Sequence, residues 1–543
     1  MKRHRRTVQR RMPQWPIVAI LALAFALRVY RLTHLSLWLD EGYSAFAAGL
    51  PWPDLLQFVV SRAHPPLYFL LLHGWAWLGQ ADFILRFLSV LWGLVGVAGL
   101  YALGRRVLSQ KIGLLAALLL AVSPMHVWHS QDARMYSQLF ALAILSTYLL
   151  VRAVDEDRMR CWLGYALLAT SCLYTHNTAF LTIGAQVIFG LGLLAIRRGR
   201  SRPPGPLARA RAGGWPGWSR LRGLGMALAA IVLLYLPWLP VAAAQAGHLE
   251  QHFWISQPTG RTVLDTLDYM SSAFLFTRSP WYSDLDTWPG ALLYLAFVGL
   301  LLLGAWQLAH GDPRQGSRAN RWSVLLALLL VVPIAGEFVA SYLMRPIYLN
   351  RTLLVVAAPL FLVYAAAVLQ GSLAARRFGL TFLVVALGCN AVSLARVYTV
   401  AEKEEWRQAA ALVADRIQPG DAILFDQGLV QIPFDHYYRL AETNGLAVAE
   451  YGYPYDYTHW QIQETMDRDE WWITDYVNAD AAAALARLEQ AVSSGQHTTI
   501  WLVTNRPMSG GKLAEWLAAH SRQVEAYEFN RVTVQRFLLQ PGS

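Results

Sequence analysis

The sequence predicts a polytopic α-helical membrane protein that carries a C-terminal α/β domain. Of its 543 residues, 55% are hydrophobic and only 15% are charged, a composition typical of chains with many membrane spans. Apolar stretches of about 20 residues recur as far as residue 400. From residue 401 the composition becomes that of a soluble domain, so we expect a membrane domain at 1–400 and a soluble domain at 401–543.

Charge and cysteine content exclude several functional classes. The net charge of +11 comes from basic residues concentrated in loops, and no stretch interleaves basic and aromatic residues as a nucleic-acid groove does. Nucleic acid is therefore not an expected partner. The three cysteines, Cys161, Cys172 and Cys389, lie within apolar segments, so neither a disulfide framework nor a cysteine zinc site is expected.

The apolar stretches predict roughly eleven spans. A basic N-terminus precedes the first stretch, and no convincing cleavage site follows it. This pattern indicates an uncleaved first span with a cytoplasmic N-terminus in the cell (inner or plasma) membrane. The predicted spans are residues 17–30, 84–104, 112–128, 135–151, 161–174, 178–196, 224–243, 289–308, 322–343, 352–369 and 380–400.

Two segments of the first external loop are expected at the membrane surface. Residues 43–60 have the pattern of an amphipathic surface helix, and residues 66–78 are apolar but short. If 66–78 crossed the membrane, the basic loop at 105–111 would lie outside, against the positive-inside rule. We therefore expect 66–78 to be interfacial or re-entrant, residues 197–222 to form a flexible cytoplasmic loop, and the C-terminal domain to be extracytoplasmic.

The C-terminal domain shows both helical and strand patterns. A helix is predicted at 406–417, and a turn then leads into a buried strand at 422–425. A second helix is predicted at 481–492, followed by strands at 498–503 and 532–537. A modest α/β domain is the simplest account of this order.

Two adjacent acids, Asp40 and Glu41, follow the first span in an apolar and aromatic neighbourhood. Burial of an unpaired polar or charged group costs several kcal/mol, so both are candidate catalytic residues. Adjacent side chains of an extended segment point in opposite directions, so one would face a cavity and the other a helix or a metal. The structural alternative is that Glu41 caps a helix beginning near Tyr43.

A second external stretch, residues 123–136, supplies more polar groups. Asp132 is a third catalytic candidate, although it stands where it could simply cap the next helix. Arg134 either pairs with Asp132 or binds a phosphate through its planar guanidinium. The other expected substrate-binding residues are His64, Gln131, Tyr136, His176, Arg345 and Arg351.

A divalent metal ion is an open question at this stage. Glu41, Asp132 and His176 are the candidate ligands, but the sequence contains no zinc-motif spacing. No glycine-rich phosphate loop of the usual spacing is present either, so no nucleotide cofactor is expected.

Several short motifs resemble those of bacterial membrane glycosyltransferases of the GT-C superfamily. Within that superfamily, the motifs are most similar to those of dolichyl-phosphate-mannose protein mannosyltransferase-like enzymes. The resemblance covers roughly residues 15–200 and extends more loosely to PIY at 346–348 with Arg351, and to KEEWR at 403–407. Its motifs are LWLDE at 37–41, HPPLY at 64–68, SP at 123–124, SQDARMY at 130–136 and YTH at 174–176.

The resemblance implies a GT-C-type membrane enzyme with a sugar donor linked to a polyprenyl phosphate. In this family the acid at the position of Asp40 is thought to contact or deprotonate the acceptor, and the second-loop acid is commonly Glu where this chain has Asp132. Arg134, Arg345 or Arg351 would stabilise the leaving phosphate. Expected partners are that donor, membrane lipids and a glycan, lipid or protein acceptor. The expected reaction is hexosyl or pentosyl transfer with inversion.

A lipid-linked sugar flippase or transporter is the alternative function. Such a protein is expected to carry charged groups deep within its spans and broken helices in repeated halves. Here Glu337 is the clear mid-span acid, and the sequence shows no internal repeat. A receptor or scaffold is a third alternative, which does not account for the acids in the loops of the membrane domain.

Overall fold

The computed structural model describes residues 14–60, 64–200, 218–248, 255–272, 287–310, 316–400, 403–426, 428–441, 445–446, 448–453, 481–495, 497–505 and 511–540. Its first helix, α1, is Trp15–Val29, and three short helices follow: α2 Leu39–Gly49, α3 Trp52–Val60 and α4 Leu67–Trp75. The sequence predicted one surface helix over 43–60. Two helices form instead, because Pro51 stands between them and has no backbone N–H to continue the first.

The remaining helices of the membrane domain are longer. Those of the first half are α5 Asp82–Val107, α6 Gln110–Ala121, α7 Pro124–Ser130, α8 Tyr136–Glu156, α9 Met159–Leu173 and α10 Ala179–Arg200. Those of the second half are α11 Trp218–Tyr235, α12 Leu239–His248, α13 Gly260–Ser272, α14 Trp288–His310, α15 Gly316–Leu343, α16 Ala357–Leu369 and α17 Leu373–Thr399.

The protein is a multi-pass membrane protein. Within the described residues, seven helical segments are long and apolar enough to cross a membrane, or eight if the bent pair α6 and α7 forms one span. Every predicted span coincides with one helix or with consecutive helices, but α1, α9 and the apolar part of α10 are shorter than a full crossing. The count of roughly eleven therefore stays a prediction.

Both boundaries of the predicted cytoplasmic loop are wrong. Helix α10 continues to Arg200, and α11 already begins at Trp218. The loop predicted over 197–222 is therefore shorter at both ends, and its residues 201–217 lie outside the described residues. Arginines are good helix formers, so they extend the apolar helix beyond its hydrophobic part.

A sharp bend between α6 and α7 shapes the loop that follows α7. The two helices differ in direction by 64°, so the last carbonyl groups of α6 lose their partners within the helix. The buried Arg28 of α1 donates to Leu120 O and Ala121 O at distances of 3.3 and 3.0 Å. Its guanidinium also donates to Ser130 Oγ on α7. Arg28 therefore holds the bend and positions the start of residues 131–135.

The C-terminal domain contains a five-stranded mixed sheet in the order β2-β1-β3-β5-β4. Its strands are β1 Asp421–Asp426, β2 Ala449–Tyr453, β3 Thr499–Thr504, β4 Ser521–Phe529 and β5 Val532–Leu539. The first three are parallel, whereas β5 runs antiparallel to β3 and to β4. Its helices are α18 Trp406–Arg416, α19 Gln431–Ala441, α20 Ala481–Ser493 and α21 Lys512–His520.

The predicted α/β class of this domain is confirmed, and two of its strands were missed. Strands β1, β3 and β5 were predicted because their buried apolar residues form short continuous or alternating runs. Strands β2 and β4 lie at the two edges of the sheet and are mostly only partly buried or exposed. Their polar residues therefore hide the pattern on which the prediction depends.

The C-terminal domain packs directly on the membrane domain through polar contacts at the start of α5. Asp82 accepts hydrogen bonds from Tyr437 Oη at 2.7 Å and from Arg407 Nη2 at 2.6 Å, and it contacts His436 Nε2 at 3.3 Å. Tyr437 Oη also accepts from the backbone N–H of Leu37 at 2.7 Å. These contacts place the C-terminal domain beside the two acids of α2.

Helix α2 approaches α19 so closely that only glycine fits at residue 42. A Cβ atom at Gly42 would stand 3.0 Å from Pro433 Cβ and 3.1 Å from its Cα. We expect Gly42→Ala to destabilise the protein by about 1–3 kcal/mol, as other overpacked positions do. The apparent melting temperature in detergent measures this effect.

Gly74→Ala in α4 is the matched control, because no heavy atom lies within 4 Å of a Cβ built there. That variant is expected to gain up to about 1 kcal/mol of helix propensity. A Gly42→Ala protein that melts at or above the Gly74→Ala protein would contradict the close packing of α2 on α19.

Candidate active site

The two adjacent acids lie in the first turn of α2 and have different surroundings. The sequence predicted an extended segment with a helix starting near Tyr43, but α2 begins at Leu39. Successive residues of a helix are separated by about 100°, so Asp40 and Glu41 still point in different directions. The Glu41 side chain is 0% exposed, whereas that of Asp40 is 25% exposed. Asp40 is therefore the carboxylate of the pair that solvent or a ligand can reach.

Glu41 is enclosed by hydrogen-bond donors. Arg86 binds both of its oxygens at 2.7 Å, in a bidentate pair. Glu41 also accepts from the backbone N–H of Ala133 at 2.8 Å and of Trp38 at 3.3 Å. The last contact confirms that Glu41 caps its helix, one turn earlier than expected. This position suits a structural anchor and not a group that touches substrate, so the prediction that Glu41 is catalytic loses its physical support.

Lys403, from the segment that leads into the C-terminal domain, joins Glu41 to Asp132. Its Nζ lies 2.9 Å from Glu41 Oε2 and 2.5 Å from Asp132 Oδ1. Burial alone would raise the pKa of Asp132, but the Lys403 ammonium and the adjacent His129 outweigh it and hold that pKa well below its usual range. Asp132 is therefore a buried anion fixed by its neighbours, and a catalytic role for it stays a prediction.

Asp40 faces two arginines from different parts of the chain. Its Oδ2 lies 3.3 Å from Arg351 Nη1 and 3.8 Å from Arg134 Nη2. Arg134 is 4% exposed and also donates to the backbone oxygen of Asp40 at 3.1 Å. The arrangement places one reachable carboxylate next to two guanidinium groups, which is a site for both a proton acceptor and a bound anion.

Arg351 is held from both sides. Its guanidinium carbon lies 5.6 Å from the ring centre of Trp38 and 5.8 Å from that of Tyr136, distances at which a cation interacts with a ring face. The next residue, Thr352, donates to the buried Glu337 at 2.9 Å. Glu337 thus anchors the loop that carries Arg351, and this contact explains why an acid lies within the span.

Two histidines complete the wall next to Arg134. His64 Nε2 lies 3.3 Å from Arg134 Nη2, and the rings of His64 and His176 have centres 5.7 Å apart. Burial, reinforced by the charges of Arg134 and Arg351, lowers the pKa of His176 to about 3. His176 is therefore neutral at physiological pH, so it lines the site as a polar group and does not serve as a general acid.

The remaining predicted substrate-binding residues have mixed outcomes. Gln131 donates to the backbone oxygens of Arg28 and Tyr30 at 3.0 and 2.9 Å, which ties its loop to α1 and gives it a structural role. Tyr136 is buried and lies beside Arg351 and His176. Arg345 is half-buried on the same loop as Arg351, and its binding role stays a prediction.

The three candidate metal ligands do not fit a shared ion. The Lys403 ammonium lies between Glu41 and Asp132, where a cation shared by the two carboxylates would sit. His176 Nδ1 instead bonds to Thr178 Oγ1 at 3.0 Å. Within the part of the chain that the structure describes, no group of three or more His, Cys, Asp or Glu residues is arranged to hold a metal. No step of the proposed chemistry is assigned to a metal.

Three charged residues of the site were not among the predicted candidates. Arg86 lies inside the apolar stretch of α5, and Lys403 and Glu404 belong to KEEWR, which contributed only to the looser part of the family resemblance. Burial raises the pKa of Glu404, and the nearby charge of Asp40 adds to this shift. One sequence feature could have indicated Arg86. A charged side chain within an apolar span has a high free-energy cost unless it is paired, so Arg86 needs a partner.

Comparisons with known proteins support this picture. The family model described as dolichyl-phosphate-mannose-protein mannosyltransferase matches residues 63–208. ArnT from Cupriavidus metallidurans in the apo state is 13% identical, with 96% of this chain and 97% of that chain covered and a TM-score of 0.56. The chain has the GT-C fold. The resemblance and the fold class predicted from the sequence are thereby confirmed.

Two further solved structures are similar to this chain. ArnT bound to undecaprenyl phosphate gives the same coverage and 13% identity with a TM-score of 0.55. The oligosaccharyltransferase AglB from Archaeoglobus fulgidus is 11% identical over 90% of this chain and 69% of that chain, with a TM-score of 0.49. A search of curated proteins found no match.

The different surroundings of the two acids lead to a stability test. Glu41→Gln removes the charge that neutralises Arg86 and helps to neutralise Lys403, and breaking a buried pair in this way costs about 3–5 kcal/mol. We therefore expect a large fall in the apparent melting temperature of the detergent-solubilised protein. Asp40→Asn, at the neighbouring and partly exposed position, is the matched variant and should melt close to wild type. Equal losses in the two variants would contradict the separation of their roles.

Proposed function

We propose that the protein is a membrane glycosyltransferase. It transfers a sugar from a polyprenyl-phosphate-linked donor to an acceptor hydroxyl at the side of the membrane that carries the C-terminal domain. The observation that carries the proposal is the reachable Asp40 carboxylate, with Arg351 Nη1 at 3.3 Å and Arg134 Nη2 at 3.8 Å. The GT-C fold and the match of residues 63–208 to a mannosyltransferase family model support the same function.

The donor fits the chemistry of the site. ArnT from Cupriavidus metallidurans has been crystallised with undecaprenyl phosphate, a lipid of the class proposed here. The phosphate of such a lipid lies at the membrane surface, where the loops after α1 and α7 meet. Arg134 and Arg351 offer planar, permanently charged guanidinium groups that bind phosphate in a bidentate manner. Because His176 is neutral, the positive charge beside it comes from the two arginines.

The reaction follows from these positions. The acceptor oxygen attacks the anomeric carbon of the donor, while Asp40 accepts the proton of the acceptor hydroxyl as a general base. The bond between the anomeric carbon and the phosphate oxygen breaks, and the polyprenyl phosphate leaves with the bonding electrons. Arg351 and Arg134 stabilise the charge on that phosphate. The proton on Asp40 is then released to solvent.

Orientation in the membrane is part of the proposal. Basic residues concentrate in the loops on the side away from the C-terminal domain, which by the positive-inside rule is the cytoplasmic side. The N-terminus would then be cytoplasmic, and Asp40 and the C-terminal domain would face outward. The acceptor is a glycan, a lipid or a protein with an accessible hydroxyl group.

Asp40→Asn tests the proposed base. The amide cannot accept the proton, so we expect the transfer rate to fall by about 10²–10⁴-fold. The assay measures release of undecaprenyl phosphate from a panel of synthetic undecaprenyl-phosphate hexoses and pentoses, with membrane extracts as acceptor. Asp54→Asn, in the first turn of α3, is the control and should keep its activity. Wild-type transfer by Asp40→Asn would rule out the assignment, and lipid-linked sugar crossing vesicle membranes without transfer would favour a flippase.

The single displacement also fixes the stereochemistry of the product. One attack on the face opposite the leaving phosphate inverts the anomeric carbon, whereas a covalent intermediate would retain its configuration. We therefore expect a product whose anomeric configuration is opposite to that of the donor. Proton NMR coupling constants of the product sugar measure this, and a retained configuration would exclude the direct displacement.

A further inference from the structure

Lys403, in the segment that leads into the C-terminal domain, contacts two buried acids of the candidate site. It lies between the end of α17 at Thr399 and the start of α18 at Trp406. Its side chain is 7% exposed, and its ammonium contacts Glu41 at 2.9 Å and Asp132 at 2.5 Å. The same ammonium lies 5.0 Å from the centre of the Trp128 ring. A buried lysine with these partners is fixed in position.

Both carboxylates bound by Lys403 are close in sequence to the groups of the proposed reaction. Glu41 directly follows Asp40, and Asp132 precedes Arg134 by two residues. Glu41 Oε1 also accepts from the backbone N–H of Ala133 at 2.8 Å. Lys403 therefore joins the start of α2 to the loop at 131–135, and these two segments supply Asp40 and Arg134.

The junction between the start of α2 and the loop at 131–135 depends on the positive charge of Lys403. Without Lys403, Glu41 keeps Arg86 as a counterion, whereas Asp132 keeps only a contact with His129 Nδ1 at 3.3 Å among these partners. Without Lys403, two buried carboxylates would face each other at low dielectric, where like charges repel strongly. The two segments would move apart, and the distances from Arg134 to Asp40 would change with them.

The C-terminal domain in turn fixes the backbone of Lys403. Asn530, at the turn between β4 and β5, donates through Nδ2 to Lys403 O at 2.8 Å. Its backbone N–H donates to Glu405 Oε2 at 2.9 Å, and its backbone oxygen accepts from Glu405 N–H at 3.1 Å. A hairpin of the C-terminal sheet thus determines where the ammonium stands.

We propose that Lys403 is a positioning residue for the transfer reaction, through which the C-terminal domain becomes part of the catalytic unit. This inference rests on the proposed glycosyltransferase function. Lys403 itself touches neither the donor nor the acceptor. By holding Glu41 and Asp132 together, Lys403 sets the distance between Asp40 and Arg134.

Lys403→Met in the full-length protein tests the proposal. Methionine has a similar length and no charge, so the bridge is lost while the apolar stem still packs. We expect kcat to fall about 100-fold, because misplacement by about 1 Å can cost that much. KM for the undecaprenyl-phosphate sugars, and Kd for undecaprenyl phosphate alone, should stay within about threefold, the split expected when the chemical step is affected and binding is not.

Arg407→Met is the matched control for docking of the domain. Arg407 lies four residues further on, in the first turn of α18, and pairs with Asp82 at 2.6 Å, but that pair belongs to the docking contacts at the start of α5. Asp82 keeps Tyr437 and His436 as partners in this variant. Arg407→Met is therefore expected to keep kcat within about threefold of wild type even where its melting temperature falls, because it leaves the contacts of Lys403 with Glu41 and Asp132 in place.

The outcomes separate the inference from the proposed function. Rates are measured per mole of folded, monodisperse protein. An inactive wild type on every donor overturns both proposals. An active wild type with equal kcat in Lys403→Met and Arg407→Met overturns the positioning role alone. If Lys403→Met does not fold, Lys403→Arg replaces it, because arginine keeps the charge but has a different reach. A tenfold or greater loss of kcat in that variant supports the inference, and a wild-type kcat overturns it.

Discussion

The buried carboxylate of Glu41 holds the site together. It neutralises Arg86 from α5. It also accepts hydrogen bonds from the backbone N–H of Ala133, in the loop after α7, and from the ammonium of Lys403, in the segment that leads into the C-terminal domain. A charge with no exposed surface is tolerated only when it is paired and fully hydrogen-bonded. The same pairing brings together three segments that are distant in sequence. The geometry around Asp40 depends on this junction more than on any contact of Asp40 itself.

This constraint explains why two adjacent acids can serve different purposes. Glu41 points into the protein and fixes the first turn of α2, so Asp40 is presented to the open side with its orientation already set. Arg134 and Arg351 approach it from the loop after α7 and from the loop anchored by Glu337. Preorganised charges of this kind cost little reorganisation during a reaction.

Local sequence patterns predicted the membrane helices, the class of the C-terminal domain and the residues that meet at Asp40. Asp40, Arg134 and Arg351 were found because polar side chains next to apolar spans are conspicuous. Lys403 was missed as a site residue because it lies 362 positions from Glu41, and no periodicity carries information over such a distance. Strand β4 was missed because its side chains are mostly exposed, so its pairing with β5 leaves no hydrophobic pattern.

The most direct measurement of the central claim is a structure of the wild-type protein with a non-transferable donor analogue, such as an undecaprenyl phosphonate C-glycoside. The account predicts the phosphonate within about 4 Å of the guanidinium of Arg351 or Arg134, with the anomeric carbon on the side of Asp40. A phosphonate bound elsewhere, with both arginines still paired to Asp40, would contradict it.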